Sequence, residues 1–309
     1  MGSWISELIS VILSILILIS IGFFGKRTGL LKKEDNAVLN NIIIYLTMPA
    51  LIFRAVFESD ISLSLLKIPL LALIVVTLSM GVAFVAGRFA RLSRPTFGAL
   101  IIAASLGNTG YLGFPLTLQI FGIENLVRAV FYDLFGTAIF MFTVGLFIAD
   151  KYGEGRDRIN KVKEILTFPP LLGLVAALAL KGFGLPEFMT DAIGFLAGAT
   201  VPLIMLSIGL SLEVADMGRY KLEIGITGLI KLALAPLIAL FGASAFSMTQ
   251  VDMGITILEA SMPTAMFSMI IGLKYGLDTD FLPAAIVATT MISLVTIPIW
   301  QYALRLLIG

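Results

Sequence analysis

The chain has 309 residues, 59% hydrophobic and 13% charged, with a formal net charge of +1. Soluble domains carry about 25% charged residues, so this composition excludes a soluble body, and the near-neutral balance offers no basic surface to nucleic acid. Cysteine and histidine are both absent, which excludes disulfides, thiol chemistry, haem ligation by histidine and ordinary zinc sites.

Apolar runs of about 20 residues, each long enough to cross a ~30 Å hydrocarbon core, recur along the whole chain. They predict spans at 5–25, 37–58, 64–88, 96–121, 125–149, 164–182, 188–212, 221–246, 252–274 and 280–307. The first run lacks a basic leader and reads as a true span rather than a cleavable signal peptide. Span two holds Pro49 in "YLTMPALIF". Span four is interrupted by "LGNTGYLGFPL" (Leu106 to Leu116), and span five carries Asp133 and Thr137 four residues apart. A charged linker, "DKYGEGRDRINKVKE" (Asp150 to Glu164), divides the chain near its middle. Span seven holds Pro202, span eight Lys231, and span nine carries Glu259 one turn before Pro263 in "EASMPTAMF".

Lysine and arginine set the expected topology, because cytoplasmic loops are enriched in them. The odd-numbered linkers hold fifteen, from Lys26 to Lys274, whereas the even-numbered linkers and the C-terminus hold only Lys67, Arg128, Lys181 and Arg305. Odd linkers are therefore expected in the cytoplasm, with both termini outside a cytoplasmic membrane. Tyr45, Gln119, Asp150 and Glu213 lie near span ends and read as interfacial.

The two halves share a layout. A shift of 156 residues lays "FGALIIAASLGNTGY" (Phe97 to Tyr111) over "MGITILEASMPTAMF" (Met253 to Phe267), so that Gly98, Ile101, Ala104 and Ser105 meet Gly254, Ile257, Ala260 and Ser261. Asn108 then falls on Thr264, while Pro49 corresponds to Pro202, and Gly29-Leu30 to Gly184-Leu185, at nearly the same offset. Five spans per copy is an odd number, so the second copy enters from the opposite side. The expected fold is an all-α membrane protein of ten transmembrane helices in an inverted 5+5 repeat. Residues 1–150 form the first repeat, 151–163 a cytoplasmic linker and 164–309 the second repeat. Spans four and nine are broken near mid-membrane and are expected to cross. Paired interruptions at equivalent positions are the best sequence pointer to a transporter's substrate site, since freed backbone groups in a bilayer must be buried in protein or line a cavity.

The candidate substrate residues are those at the two breaks: Asn108, Thr109, Gly110, Pro115, Pro263 and Thr264. A charge at the bilayer centre costs at least about 2.5–3.5 kcal/mol and needs a partner, water or a function. Asp133, Lys231 and Glu259 are the ionisable residues well inside the spans. Glu259 and Asp133, with Thr137, are candidates for ion coupling. Carboxylates with hydroxyl and amide oxygens suit a hard cation, so Na⁺ at Glu259, Asn108 and Asp133 is one expectation. A proton is the other. Lys231 reads as an internal strut paired with Glu259 or Asp133, and no cofactor beyond Na⁺ or H⁺ is expected.

"GNTGYLGFPL", "EASMPTAMF" and "YLTMPALIF", with the five-plus-five layout, resemble the auxin efflux carrier family. That family contains the plant PIN-type exporters and prokaryotic carriers linked to malate, malonate and other organic anions. The resemblance covers essentially the whole chain and implies a fold similar to bile acid sodium symporters. Spans one, two, six and seven would form a scaffold, able to dimerise. Spans three to five and eight to ten would form a transport domain that moves like an elevator. It implies carboxylate binding at the crossover, and Glu259 with Met262 is similar to the sodium site of the symporters. The short linker departs from long plant exporters, and Thr264 stands where PIN-type sites place a second asparagine, which argues against auxin itself. The expected function is secondary transport of small organic anions. An uncoupled anion channel or a non-transporting receptor are the alternatives, and an enzyme is not expected without histidine, cysteine or a phosphate-binding glycine loop.

Overall fold

The computed structural model describes residues 2–155, 166–212 and 217–308. Most of the expected linker, with Arg156, Arg158, Lys161 and Lys163, lies outside the described residues, as does Glu213. Among the described residues, seven helical runs are long and apolar enough to cross a membrane: Ser10–Arg27, Asp35–Glu58, Leu63–Phe89, Ile123–Tyr152, Glu187–Ser211, Lys221–Ala245 and Phe281–Leu307. They match predicted spans one, two, three, five, seven, eight and ten. Span six is the shorter apolar helix Pro169–Leu180. It begins later than the expected residue 164, because Pro169 and Pro170 occupy its first turn after an extended Phe168, where a missing N–H costs nothing.

Spans four and nine are broken. Span four runs as Arg94–Ser105, a non-helical step, a π-helical turn Thr109–Gly113 and then Phe114–Phe121. Span nine runs as Gln250–Ala260 and Phe267–Tyr275 around a non-helical stretch. Further π-helical turns interrupt span two at Ile43–Thr47, span five at Asp133–Ala138 and Met141–Gly145, and span eight at Ile230–Leu234.

The chain divides into two compact units. One comprises Met1–Ser62, Pro115–Val127 and Ile165–Leu212, and so gathers spans one, two, six and seven. Its helices meet at backbone distance: Gly22 lies against the Leu206 carbonyl, and Gly209 against that of Ile19. No side chain could be inserted at either point. The π turn of span two leaves the Thr47 carbonyl to accept from Thr200 Oγ1 at 2.9 Å.

Two lysines close helix ends in this unit. Lys26, at the end of span one, donates to the carbonyls of Leu210 and Leu212 at 2.7 and 2.6 Å, where span seven stops. Lys181, at the end of span six, donates to Val56 and Phe57 at 2.7 and 2.9 Å and also to Ser59, where span two stops. A helix C-terminus presents orphan carbonyls and the negative end of its dipole, so an ammonium satisfies both demands. Each lysine caps a helix from the other half of the sequence, and the two lie 155 residues apart, the interval that separates Gly29 from Gly184.

The other unit comprises Leu63–Phe114, Arg128–Glu164 and Glu213–Gly309. Ala83, Phe97, Ile101, Ala104 and Ile230 form one of its buried clusters. Arg128 and Asp252 tie the start of span five to that of span nine by an ion pair of 2.5 Å. The backbone N–H groups of Glu154 and Gly155 donate to the carbonyls of Gly276 and Tyr275 at 3.1 and 2.7 Å, fastening the residues after span five to the turn after span nine.

Lys26→Met and Lys181→Met keep the aliphatic stem but remove the charged donor. Each is expected to lower unfolding stability in detergent by about 1.5–3 kcal/mol, the usual range for hydrogen bonds to charged groups. Thermal unfolding of the purified variants checks this; unchanged midpoints in both would mean that the caps contribute nothing.

Candidate substrate site at the crossed helix breaks

The two breaks cross within the second unit, and each completes the backbone of the other. The Asn108 N–H donates to the Pro263 carbonyl at 2.8 Å, and the Ala265 N–H donates to that of Leu106 at 3.0 Å. These bonds flank an isolated antiparallel bridge between Gly107 and Thr264. Thr264 Oγ1 also donates to the Ala103 carbonyl at 2.9 Å, and the Thr264 N–H to Thr289 Oγ1 at 3.2 Å. Serines finish both preceding helices alike: Ser105 Oγ donates to Ile101 O at 2.6 Å and Ser261 Oγ to Leu258 O at 2.7 Å. Thr264 thus serves as a backbone closer. It is fully buried.

Asn108 differs. Its carbonyl accepts from the N–H groups of Leu112 and Gly113 at 3.0 and 3.2 Å and so starts the π turn. Its carboxamide forms no hydrogen bond among the described residues, although the residue is only 6% exposed.

Glycines recur every third residue through the break, and a charged side chain lies against each. A Cβ placed on Gly107 would sit 3.1 Å from Lys231 Nζ; one on Gly110 would sit 3.6 Å from Asp133 Oδ2; one on Gly113 would overlap the Glu259 carboxylate. Glycine is required at 113 for this reason. Asp133 Oδ1 also accepts from Thr109 Oγ1. Thr137, one turn further along the π segment, is buried, and its hydroxyl has no hydrogen-bond partner among the described residues.

Lys231 is 3% exposed and lies on the π turn Ile230–Leu234 of span eight. The wider turn releases the Leu232 carbonyl, which accepts from Trp300 Nε1 of span ten at 2.8 Å. The expected strut to Glu259 or Asp133 is not formed: Lys231 has no ion pair or hydrogen bond among the described residues. The reason is geometric, since its ammonium is directed to Gly107 while the carboxylates lie against Gly110 and Gly113.

Of the sequence candidates, Asn108, Thr109, Gly110, Pro263 and Thr264 converge at the crossing, with Asp133 and Glu259 beside them. Pro115 does not mark the break. It follows Phe114 at the start of the last helical piece of span four and is grouped with the other unit. The break is made instead by the extended Leu106 and by Gly107 and Asn108. Among the described residues no group of three or more histidine, cysteine or carboxylate side chains gathers as a metal site. The approach of Lys231 to Gly107, and its support by Trp300, carried no sequence signal, because both depend on how spans eight and ten pack.

A family described as "Membrane transport protein" matches residues 8–301. The chain belongs to that family. It is similar to an uncharacterized transporter of Methanothermobacter thermautotrophicus, 34% identical over 95% of this chain and 97% of that one. An uncharacterized transporter of Methanocaldococcus jannaschii is also 34% identical, over 95% of this chain and 98% of its own. A Rhizobium meliloti protein named "Putative malonate transporter" is 27% identical over 97% of both chains. This family member is therefore a multi-pass membrane transporter and not an enzyme.

Gly113→Ala is expected to lower stability by about 1–3 kcal/mol, the usual cost of overpacking a filled site. The same substitution in a Glu259→Ala background should cost less, because the overlapping carboxylate is gone. A double-mutant cycle read by thermal unfolding checks this; strict additivity would contradict the contact.

Proposed function

We propose that this transporter carries small carboxylates across the cytoplasmic membrane at the crossing of spans four and nine. One observation carries the reading: the Asn108 carboxamide and the Lys231 ammonium lie at the break, buried and without partners among the described residues. An intramembrane cation left this way needs an anion to offset its desolvation. The helical pieces that restart at Thr109 and Phe267 direct their N-termini to the same region, and helix N-termini favour anions. An amide donor and an ammonium match the two oxygens of a carboxylate. The relative named for malonate supports a short dicarboxylate as the substrate.

Asp133 and Glu259 then serve as the coupling groups, for Na⁺ or H⁺, set one and two turns along from the anion. The reciprocal lysine caps support an inverted repeat of five spans each. The grouping of spans one, two, six and seven supports their role as scaffold to a mobile unit. The charge bias of the linkers supports an orientation with both termini outside.

Counterflow of malonate in proteoliposomes tests the reading. Wild-type protein should exchange it saturably. Asn108→Ala should weaken apparent affinity by about 1–3 kcal/mol, and Lys231→Met by tenfold or more, with Lys231→Arg less impaired. Unchanged affinity in a folded Lys231→Met protein would remove the lysine from the anion site. If the carboxylates couple, Glu259→Gln should abolish the dependence of transport on sodium or on pH; a retained dependence would place coupling elsewhere.

A further inference from the structure

A cavity of about 600 Å³ lies between spans eight and ten, outside the crossing. Its long wall is one face of span eight, from Lys221 through Gly225 and Gly228 to Leu232; Ile292 and Thr296 of span ten form the opposite wall. A Cβ at Gly225 or Gly228 would meet nothing within 4 Å, so the absence of two side chains opens the floor. Leu229 on the rim is 68% exposed and Ile292 is 46% exposed.

The groove is chemically polarised along its length. Its lining is apolar apart from the Thr296 hydroxyl and, at one end, Lys221, which stands exposed two residues along the chain from Arg219. Arg219 is paired only loosely, at 3.8 Å, with Asp280, and both side chains are mostly exposed. The positive end of the helix Lys221–Leu229 adds to the same sign. From Lys221 to Leu232 the helix rises roughly 16 Å at 1.5 Å per residue, which matches half of a ~30 Å hydrocarbon core. A groove one leaflet deep, apolar inside but for one threonine hydroxyl and cationic at its mouth, complements an acyl chain ending in an anionic head group.

We propose that this groove is a binding site for one anionic phospholipid, with an acyl chain along Gly225 and Gly228 and the phosphate at Lys221. The chain's far end reaches Leu232, whose carbonyl is the one held by Trp300 and whose neighbour is Lys231. The site does not rest on the carboxylate reading, because lipid binding is measured without transport.

The test uses delipidated full-length protein in a neutral detergent, titrated with phosphatidylglycerol or phosphatidylcholine and followed by thermal unfolding and native mass spectrometry. Phosphatidylglycerol should raise the unfolding midpoint with one retained lipid, and phosphatidylcholine should do so at least tenfold more weakly. Gly228→Leu, which fills the groove, should weaken the phosphatidylglycerol response tenfold or more, and Lys221→Gln should bring the two lipids level. Because glycine-to-leucine changes alter helix propensity, the lipid-dependent increment is compared, not the baseline. If Gly228→Leu does not fold, Ile292→Phe blocks the groove from the opposite wall. A wild-type response in the groove-filling variant, or equal responses of the wild-type protein to both lipids, would overturn the proposal. So would a shift reproduced by glycerol phosphate alone, which would indicate a free-phosphate site.

Discussion

A polypeptide inside hydrocarbon has no water to accept its unpaired N–H and C=O groups. The crossing of spans four and nine is organised by that constraint. Each span gives up helical bonds for several residues, and each supplies the partners that the other lost: Asn108 with Pro263, Leu106 with Ala265. Thr264 and Thr289 complete the exchange with hydroxyls. Neither break could persist alone. The residues at the heart of the proposed site are therefore also the ones that hold the fold open there, and binding and architecture share the same few atoms.

The glycine spacing then distributes charge. One ammonium and two carboxylates address the same short stretch of span four at successive three-residue steps. In a low-dielectric interior, charges so placed act on one another far more strongly than in water. Under the proposed reading, an anion beside Lys231 and a cation or proton beside the carboxylates would each raise the affinity of the other, and linkage makes that effect reciprocal. The π turns of spans five and eight serve this arrangement. Both carry their charged residue, Asp133 or Lys231, in a segment whose hydrogen bonding departs from the α-helix.

Much of this was legible in residue order. The hydropathy runs located the seven long helices and the short sixth, and the glycines, Asn108 and Pro263 located both breaks. Pro115 misled, because proline is also at home in the first turn of a helix, and that is where it sits. The π turns had no pattern to read, since they arise where tertiary partners such as Trp300 and Thr200 draw a carbonyl away from its own helix. The destination of Lys231 was illegible for a related reason. A lysine reaches several ångströms from its backbone, and only packed neighbours decide which of three glycines it meets.

The crosswise lysine caps bear on the order in which the protein is made. Span two ends at Glu58, but the ammonium that closes it belongs to Lys181. At bacterial-to-eukaryotic synthesis rates that gap lasts on the order of ten seconds. Lys26 waits longer still for the end of span seven at Leu212. During that interval the nascent first half sits in the bilayer with an unfinished helix end and an unused cation. A chain arrested near residue 150 therefore displays features that the finished molecule conceals, and a membrane quality-control protease could tell it from the finished carrier by those features alone.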